Sequence, residues 1–234
     1  MSAHARVRAL VFDLDGTLID SSADIAAACN YALGSYGFPT LDKDRIWSFV
    51  GDGARALMAR AAALDEGEPW VDGLLAAFVD YYERHPAAHT ELAPGTHRAL
   101  ADFPHLRLGL CTNKPRRTTD AVLAALDIAR RFDAVVAGGD VPAKKPDPAP
   151  LLRVAELLDL SPSELVMIGD GPQDIACGRA AGARTVAVAG TPPRGAWTAP
   201  EPDARLDSLE ALAALLDRLG ARRSTSYGPQ PRAR

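Results

Sequence analysis

The chain has few cysteines, no long apolar run and no excess of positive charge. Its 234 residues include three scattered cysteines and no CxxC pair, which argues against a disulfide framework or a thiolate zinc site. The formal net charge of -4 provides no general field that would attract nucleic acid or an anionic membrane. No apolar run approaches the ~18 residues of a membrane-spanning helix. These absences predict a cytoplasmic protein with no nucleic-acid or membrane partner, whose ligands bind at a local site.

Short aliphatic segments followed by turn residues predict buried parallel strands, and amphipathic patterns between most of them predict helices. This alternation predicts an α/β fold with a doubly wound parallel sheet. The predicted strands are Val7–Phe12, Leu106–Cys111, Ala134–Ala137, Leu165–Ile168 and Thr185–Ala189. The predicted helices between them are Thr118–Leu126, Leu151–Leu158 and Gln173–Ala181.

The segment 20–93 interrupts this alternation, because it contains amphipathic helical patterns and no strand pattern. The predicted helices are Ser22–Leu33, Gly53–Ala63 and Pro69–Arg84. An insertion of this length between consecutive strands predicts a small helical domain of its own. We therefore expect an α/β core formed by residues 1–19 and 94–220, a helical lid formed by residues 20–93, and a disordered tail at 221–234, where apolar periodicity is lost.

Two carboxylates follow the first predicted strand in the sequence Asp13-Leu14-Asp15-Gly16-Thr17. Residues two apart at the end of a strand project to the same side, so Asp13 and Asp15 are expected to share one site. Two neighbouring anions at the edge of a core need a compensating cation, and carboxylate oxygens suit Mg²⁺. Taken alone, the pattern fits an ordinary Asx turn equally well.

Three further strand ends carry polar side chains that suit a phosphate and a metal. Thr112 and Asn113 end the second predicted strand, Lys145 lies between the third strand and its helix, and Asp170 and Asp174 follow the fourth strand. Each of these alone could be a polar turn, a solvated lysine or a helix cap. Because the strand ends of an open α/β sheet face one crevice, we expect the four turns to form one phosphate-binding site.

The segments DLDGT, TNK, KKPDP and GDGPQD, in this order and spacing, resemble the four signature motifs of the haloacid dehalogenase superfamily. The resemblance spans Val7 to about Leu219, and the helical insertion is similar to the C1-type cap of that family. Within the superfamily, DIAAACNYAL, FVGDGARALM and GGDVPAKKPDPAPLL look most like phosphoglycolate phosphatases. Gly171 departs from the pattern, since the family more often has serine or another polar residue there.

The resemblance implies a role for each matching residue. Asp13 would be the nucleophile and Asp15 the general acid and base. Asp13, Asp170 and the backbone carbonyl of Asp15 would hold Mg²⁺, and Asp174 would support that shell. The residues implied to bind the phosphoryl group are Thr112, Asn113 and Lys145. The implied function is hydrolysis of a small phosphate monoester, 2-phosphoglycolate above all, by a monomer or homodimer.

Several alternatives stay open at this stage. The same chemistry could act on a sugar phosphate, or a phosphomutase could return the phosphoryl group, and a non-catalytic phosphate-binding module is a third reading. Dehalogenation is disfavoured, because relatives that cleave carbon–halogen bonds lack the second aspartate, here Asp15. A nucleophilic Cys111 is disfavoured by its apolar strand, and Pro86 argues against a helical metal pair of His85 and His89.

A glycine turn in the helical segment suggests how a second anionic group of the substrate is bound. Gly51-Asp52-Gly53 precedes a predicted helix, and a helix N-terminus attracts anions. We expect Arg55 or Lys43 to add positive charge for a remote carboxylate of the substrate, whereas Asp52 would oppose it.

Overall fold

The fold, seen in a computed structural model that describes residues 6–192 and 200–218, is built on a six-stranded parallel sheet. A separate two-stranded antiparallel ribbon joins residues before and after the helical segment. The strands are β1 (Ala9–Phe12), β2 (Ile19–Asp20), β3 (Glu91–Leu92), β4 (Arg107–Pro115), β5 (Ala134–Gly138), β6 (Leu165–Gly169), β7 (Arg184–Val188) and β8 (Ala204–Leu206).

The large sheet has the order β5-β4-β1-β6-β7-β8, and every neighbouring pair is parallel. All five predicted strands are present, so the predicted α/β fold with a parallel sheet is confirmed. The sixth strand, β8, was not predicted, because three residues with an arginine in the middle leave no recognisable β pattern. The chain order reverses beside β1, which places the ends of β1, β4 and β6 next to one another.

Both faces of the sheet are covered, as the strand sequence requires. Along β1, Leu10 and Phe12 pack into one apolar cluster and Ala9 and Val11 into another, because successive side chains of a strand point to opposite faces. All four side chains are fully buried. β1 is therefore the centre of the core, and the residues that follow it are held by rigid packing.

The helices fall into a segment of four after β2 and a set that alternates with the sheet strands. They are α1 (Ser22–Ser35), α2 (Lys43–Trp47), α3 (Ala54–Ala62), α4 (Pro69–Arg84), α5 (Thr96–Ala101), α6 (Arg116–Ala125), α7 (Ala149–Leu158), α8 (Pro172–Ala181) and α9 (Leu212–Arg218). The six helices predicted from the pattern are all present. Gly182 ends α8 in the left-handed conformation with φ +82°, which a glycine adopts without strain.

The helical segment begins and ends at the small β2–β3 ribbon, which the sequence did not predict. Ile19 pairs with Leu92 and Asp20 with Glu91, so the chain leaves the sheet and returns at one point. The expectation of no strand in 20–93 was wrong there, because strands of two residues have no measurable period.

The helical segment also packs directly on the sheet side of the molecule. The Trp47 indole donates to the carbonyl of Pro192 over 3.3 Å, and Arg117 on α6 pairs with Glu83 on α4. Within the described part of the chain, no helix is both long and apolar enough to span a membrane. The tail predicted at 221–234 lies outside the described residues.

Candidate active site

The turn after β1 brings Asp13 and Asp15 to the crevice at the carboxyl ends of the strands. Both are buried, with 6% and 7% of their surface exposed. Gly16 has a φ of +92°, and a Cβ there would clash with the carboxylate of Asp170. Only glycine lets the turn approach Asp170 so closely. Thr17 then donates to the same carboxylate over 3.1 Å.

Lys145 lies at the centre of the site and is almost completely buried, with 1% exposed. Its ammonium group donates to Asp13 Oδ1 over 2.7 Å, to Asp174 Oδ1 over 2.6 Å and to the carbonyl of Cys111 over 2.7 Å. These three acceptors match the three protons of an ammonium group. Burial lowers the pKa of Lys145, but the charges of Asp13 and Asp174 outweigh burial and hold it well above the ordinary value.

Three carboxylates come together beside this lysine. Asp13, Asp170 and Asp174 each offer an oxygen, and these oxygens lie within 4.8 Å of one another. The pKa of Asp13 is raised to about 6. Burial is the largest cause and the charge of Asp174 adds to it, whereas Lys145 acts in the opposite direction. Burial likewise raises the pKa of Asp174. The raised values reflect crowded, desolvated anions, which a divalent cation would relieve.

The carboxylate of Asp15 is held by a different set of donors. Ser21 donates to Asp15 Oδ1 over 2.5 Å, and Lys114 donates to its two oxygens over 3.0 and 3.2 Å. Burial lowers the pKa of Lys114, but Asp15 and Tyr82 together outweigh burial and the net shift is upward. The Lys114 ammonium also lies over the ring of Tyr82, 4.0 Å from its centroid. Asp13 and Asp15 therefore sit in separate ion pairs.

Sequence reasoning missed Lys114, Ser21 and Thr17, although all three lie within or beside the quoted motifs. A lysine directly after a buried strand was a signal for Lys114, since a charge at that position is either buried with a partner or lines the crevice. Ser21 and Thr17 carried no signal, because hydroxyl residues are common in turns. The motifs indicated where the site lies, but not which side chains would contact one another there.

Asn113 and Thr112, predicted to bind the phosphoryl group, both lie in the site. The amide of Asn113 accepts from the backbone N–H of Lys145 and donates to its carbonyl, each over 2.9 Å, and it donates to the carbonyl of Gly51 over 2.9 Å. Thr112 Oγ1 accepts from the backbone N–H of Lys114. Asn113 therefore holds the Lys145 loop against β4 and links the sheet to the helical segment.

A cavity opens between these strand ends and the helical segment. Among the described lining residues, those of the sheet side include acidic, basic and polar side chains, whereas those of the helical side are glycine and apolar residues. The residues from the sheet side are Asp13, Asp15, Thr112, Asn113, Lys114 and Pro115, and those from the helical side are Ile25, Val50, Gly51, Gly53, Ala54, Leu57 and Phe78.

The expectation that Arg55 or Lys43 faces this cavity was wrong. The turn Gly51-Asp52-Gly53 does border the cavity, but neither cation is among the lining residues. Arg55 donates to the carbonyl of Glu66 and pairs with Asp72. Arg55 therefore lies on the outer face of α3, whereas its neighbour Ala54 lines the cavity. Asp52, which was expected to oppose an anion, instead pairs with Arg60 over 2.5 Å.

Cys111 and His85, which the sequence analysis disfavoured as a nucleophile and as a metal ligand, have other contacts in the structure. Cys111 is fully buried, and a hydrogen bond with Cys177 together with burial raises its pKa well above the ordinary value, so its reactive thiolate form is disfavoured. His85 Nδ1 bonds to the carbonyl of Tyr81. Among the described residues, the one group of three or more His, Cys, Asp or Glu side chains that could hold a metal is the cluster of Asp13, Asp170 and Asp174.

Known proteins resemble this chain in sequence and in fold. The profile of the haloacid dehalogenase-like hydrolases matches residues 10–188. A phosphoglycolate phosphatase of Chromobacterium violaceum is 40% identical over 189 residues, covering 78% of this chain and 85% of its own. An N-acetylmuramic acid 6-phosphate phosphatase of Pseudomonas putida is 37% identical over 185 residues, covering 78% and 83%.

Solved structures show the same fold. A predicted phosphoglycolate phosphatase from Haemophilus somnus superposes with a TM-score of 0.79 at 24% identity, covering 91% of this chain and 99% of its own. CbbY from Rhodobacter sphaeroides, solved in complex with phosphate, gives a TM-score of 0.76 at 25% identity, covering 90% and 99%. The expected resemblance to phosphoglycolate phosphatases is confirmed, and the chain belongs to the haloacid dehalogenase-like hydrolase family.

Proposed function

We propose that this protein is a Mg²⁺-dependent phosphatase that hydrolyses a small phosphate monoester through an aspartyl-phosphate on Asp13. The observation that supports this best is the meeting of Asp13, Asp170, Asp174 and Lys145 in one buried cluster. A nucleophilic carboxylate beside a fixed ammonium group can attack a phosphoryl group while its charge is stabilised. Relatives with about 40% identity are named as phosphatases, in agreement with this chemistry.

The charge of the site supports a divalent cation. Four buried carboxylates meet two buried ammonium groups, so carboxylates outnumber ammonium groups in this cluster; the six are Asp13, Asp15, Asp170, Asp174, Lys114 and Lys145. Oxygen ligands at this spacing suit Mg²⁺, with Asp13 and Asp170 as ligands and Asp174 behind them. The ion would polarise the phosphoryl oxygens and screen the approach of the anionic substrate.

The proposed reaction has two steps. In the first, an oxygen of Asp13 attacks phosphorus, the ester bond breaks, and Asp15 gives its proton to the departing alkoxide. In the second, Asp15 takes a proton from water as that water attacks the phosphorus, and the bond to Asp13 breaks. Thr112, Asn113 and Lys145 would hold the phosphoryl group, with Asn113 also fixing the Lys145 loop.

We further propose that residues 20–93 act as a cap over a core made of 1–19 and 94–220. The chain enters and leaves this segment through the β2–β3 ribbon, which is a natural hinge. The contact from Asn113 to the carbonyl of Gly51 would then form when the cap closes. Closure would exclude water from the reacting atoms.

The favoured substrate is a short ester such as 2-phosphoglycolate. The cap side of the cavity is apolar, with Ile25, Leu57 and Phe78 among its side chains, and would leave the hydroxyl groups of a sugar without hydrogen-bond partners. A sugar phosphate is the second candidate, because a relative at 37% identity is named for N-acetylmuramic acid 6-phosphate. We expect action on free metabolites in the cytoplasm, as monomer or homodimer.

An ester panel tests the proposal. Purified protein would be assayed with Mg²⁺ or with EDTA against 2-phosphoglycolate, N-acetylmuramic acid 6-phosphate, glucose 6-phosphate and p-nitrophenyl phosphate, with release of inorganic phosphate as the readout. We expect Mg²⁺-dependent release that is fastest from 2-phosphoglycolate. Isomerisation of a sugar phosphate without phosphate release would indicate a mutase, and no release from any ester would contradict the proposal.

A further inference from the structure

We infer that Lys114 selects the substrate, and that the class it selects is phosphate monoesters whose alcohol carries a carboxylate next to the ester oxygen. The inference deepens the proposed function and rests on it, because it assigns the other end of the same substrate. It depends on the position of Lys114, on the assignment of Lys145 to the phosphoryl group and on the apolar surroundings of the cavity.

Lys114 is the one cationic side chain among the described residues that line the cavity. Its side chain is 4% exposed, and its ammonium group is held between the carboxylate of Asp15 and the ring of Tyr82. Lys145 is buried against Asp13, Asp174 and the carbonyl of Cys111, and in the proposed function it holds the phosphoryl group. A second anionic group of a substrate in this cavity would therefore meet Lys114.

The distance between Lys114 and Asp15 fixes where that anionic group must lie. Asp15 Oδ1 is 3.0 Å from the Lys114 ammonium, and Asp15 must come within hydrogen-bond distance of the ester oxygen to protonate it. In 2-phosphoglycolate a single carbon separates this oxygen from the carboxylate, so the carboxylate falls beside Lys114. In N-acetylmuramic acid 6-phosphate the acid group lies on the far side of the sugar ring, out of reach of the same ammonium group.

The cap side of the cavity makes this contact selective. Val50, Leu57 and Phe78 border the space and offer an anion no competing donor from their side chains. With water excluded, a charge-assisted hydrogen bond between ammonium and carboxylate is stronger than at an exposed surface. An uncharged group of the same shape would leave the ammonium with less compensation, so the ester would bind less well.

The test compares two esters that differ in one charge. Kinetic constants would be measured with Mg²⁺ for 2-phosphoglycolate and for glycolamide phosphate, in which an amide replaces the carboxylate. We expect wild-type protein to prefer the acid, and Lys114→Met to reduce the ratio of the two kcat/KM values by about tenfold to a hundredfold. Lys114→Arg keeps the charge and should keep most of the preference. Lys43→Met, which removes an exposed lysine outside the cavity, should leave the ratio unchanged.

Each outcome bears on the inference. Equal losses for both esters in Lys114→Met would mean that Lys114 acts only through Asp15, and would overturn it. A wild-type protein that hydrolyses both esters equally well would also overturn it, while the proposed phosphatase activity would stand. Should Lys114→Met fail to fold, the wild-type ratio and the Lys114→Arg ratio still decide. Absence of hydrolysis of either ester, and of the wider panel, would instead contradict the proposed function.

Discussion

The two sides of the cavity differ in chemistry. The sheet side carries charged side chains that form ion pairs with one another, as Lys145 does with Asp13 and Asp174. The helical side is apolar, with Leu57 and Phe78 facing the same space. Under the proposed function, the sheet side carries the reaction and recognises the charge of the ester through Lys114, and the helical side limits the size of the ester. Apart from Lys114, changes to the sheet side should act on rate and metal binding, and changes to the helical side should act on the size of the ester that is accepted.

Removing the carboxylate of Asp13 should have the largest effect. Asp13→Asn deletes the proposed nucleophile, and we expect kcat to fall about 10³-fold or more, which corresponds to about 4 kcal/mol of transition-state stabilisation. The check is the initial rate of phosphate release from 2-phosphoglycolate with Mg²⁺. Asp44→Asn, at an exposed aspartate on α2, is the matched control and should keep the wild-type rate. Full activity in Asp13→Asn would show that the sheet side does not act as described.

The same substitution should change how stability depends on pH in the absence of metal. The pKa of Asp13 rises from 3.8 to about 6 on folding, so folding favours its protonated form. Relative to Asp13→Asn, metal-free wild type should therefore lose stability as the pH rises from about 4 to about 7, by about 3 kcal/mol. Urea unfolding in EDTA at several pH values measures the difference between the two proteins. A difference that does not vary with pH would contradict the crowding of the carboxylates.

Magnesium should reverse this loss of stability. An ion that binds only the folded protein stabilises it by about 2.7 kcal/mol at a hundredfold excess over Kd, or about 5–10 °C in Tm for a chain of this size. We expect this shift in wild type at pH 7.5, less of it at pH 5 where protons compete for Asp13, and most of it lost in Asp174→Asn. Thermal unfolding with and without Mg²⁺ provides the measurement, with Asp44→Asn again as control. An undiminished Tm shift in Asp174→Asn would show that Asp174 does not contribute to the metal site.

Enlarging the helical side should have the smallest effect on rate and a distinct effect on selectivity. Leu57→Ala removes apolar bulk from the cavity border, and we expect kcat/KM for a bulky ester such as glucose 6-phosphate to gain roughly tenfold relative to 2-phosphoglycolate. The buried leucine also contributes to packing, so stability should fall by about 2–4 kcal/mol. The exposed Leu152→Ala on α7 is the control and should alter neither quantity. An unchanged ratio of the two kcat/KM values in Leu57→Ala would show that this apolar surface does not determine selectivity.

The sequence predicted the sheet side far better than the helical side. Asp13 and Lys145 were identified because strand ends in an open α/β sheet share one crevice, so position along the chain determines position in space. No such rule places the side chains of the helical segment, and Arg55 was assigned to the cavity although it pairs with Asp72. Lys114 was overlooked for a related reason, since its partners Asp15 and Tyr82 come from distant parts of the chain that only the folded structure brings together.

The central claim is that Asp13 becomes phosphorylated during turnover, and it can be tested by trapping that group. Protein quenched during hydrolysis of 2-phosphoglycolate would be treated with borohydride, which reduces an acyl phosphate to the alcohol, and then digested and sequenced by mass spectrometry. The account predicts homoserine at position 13 and at no other aspartate. Steady release of phosphate with Asp13 unmodified, or homoserine at a different position, would contradict it.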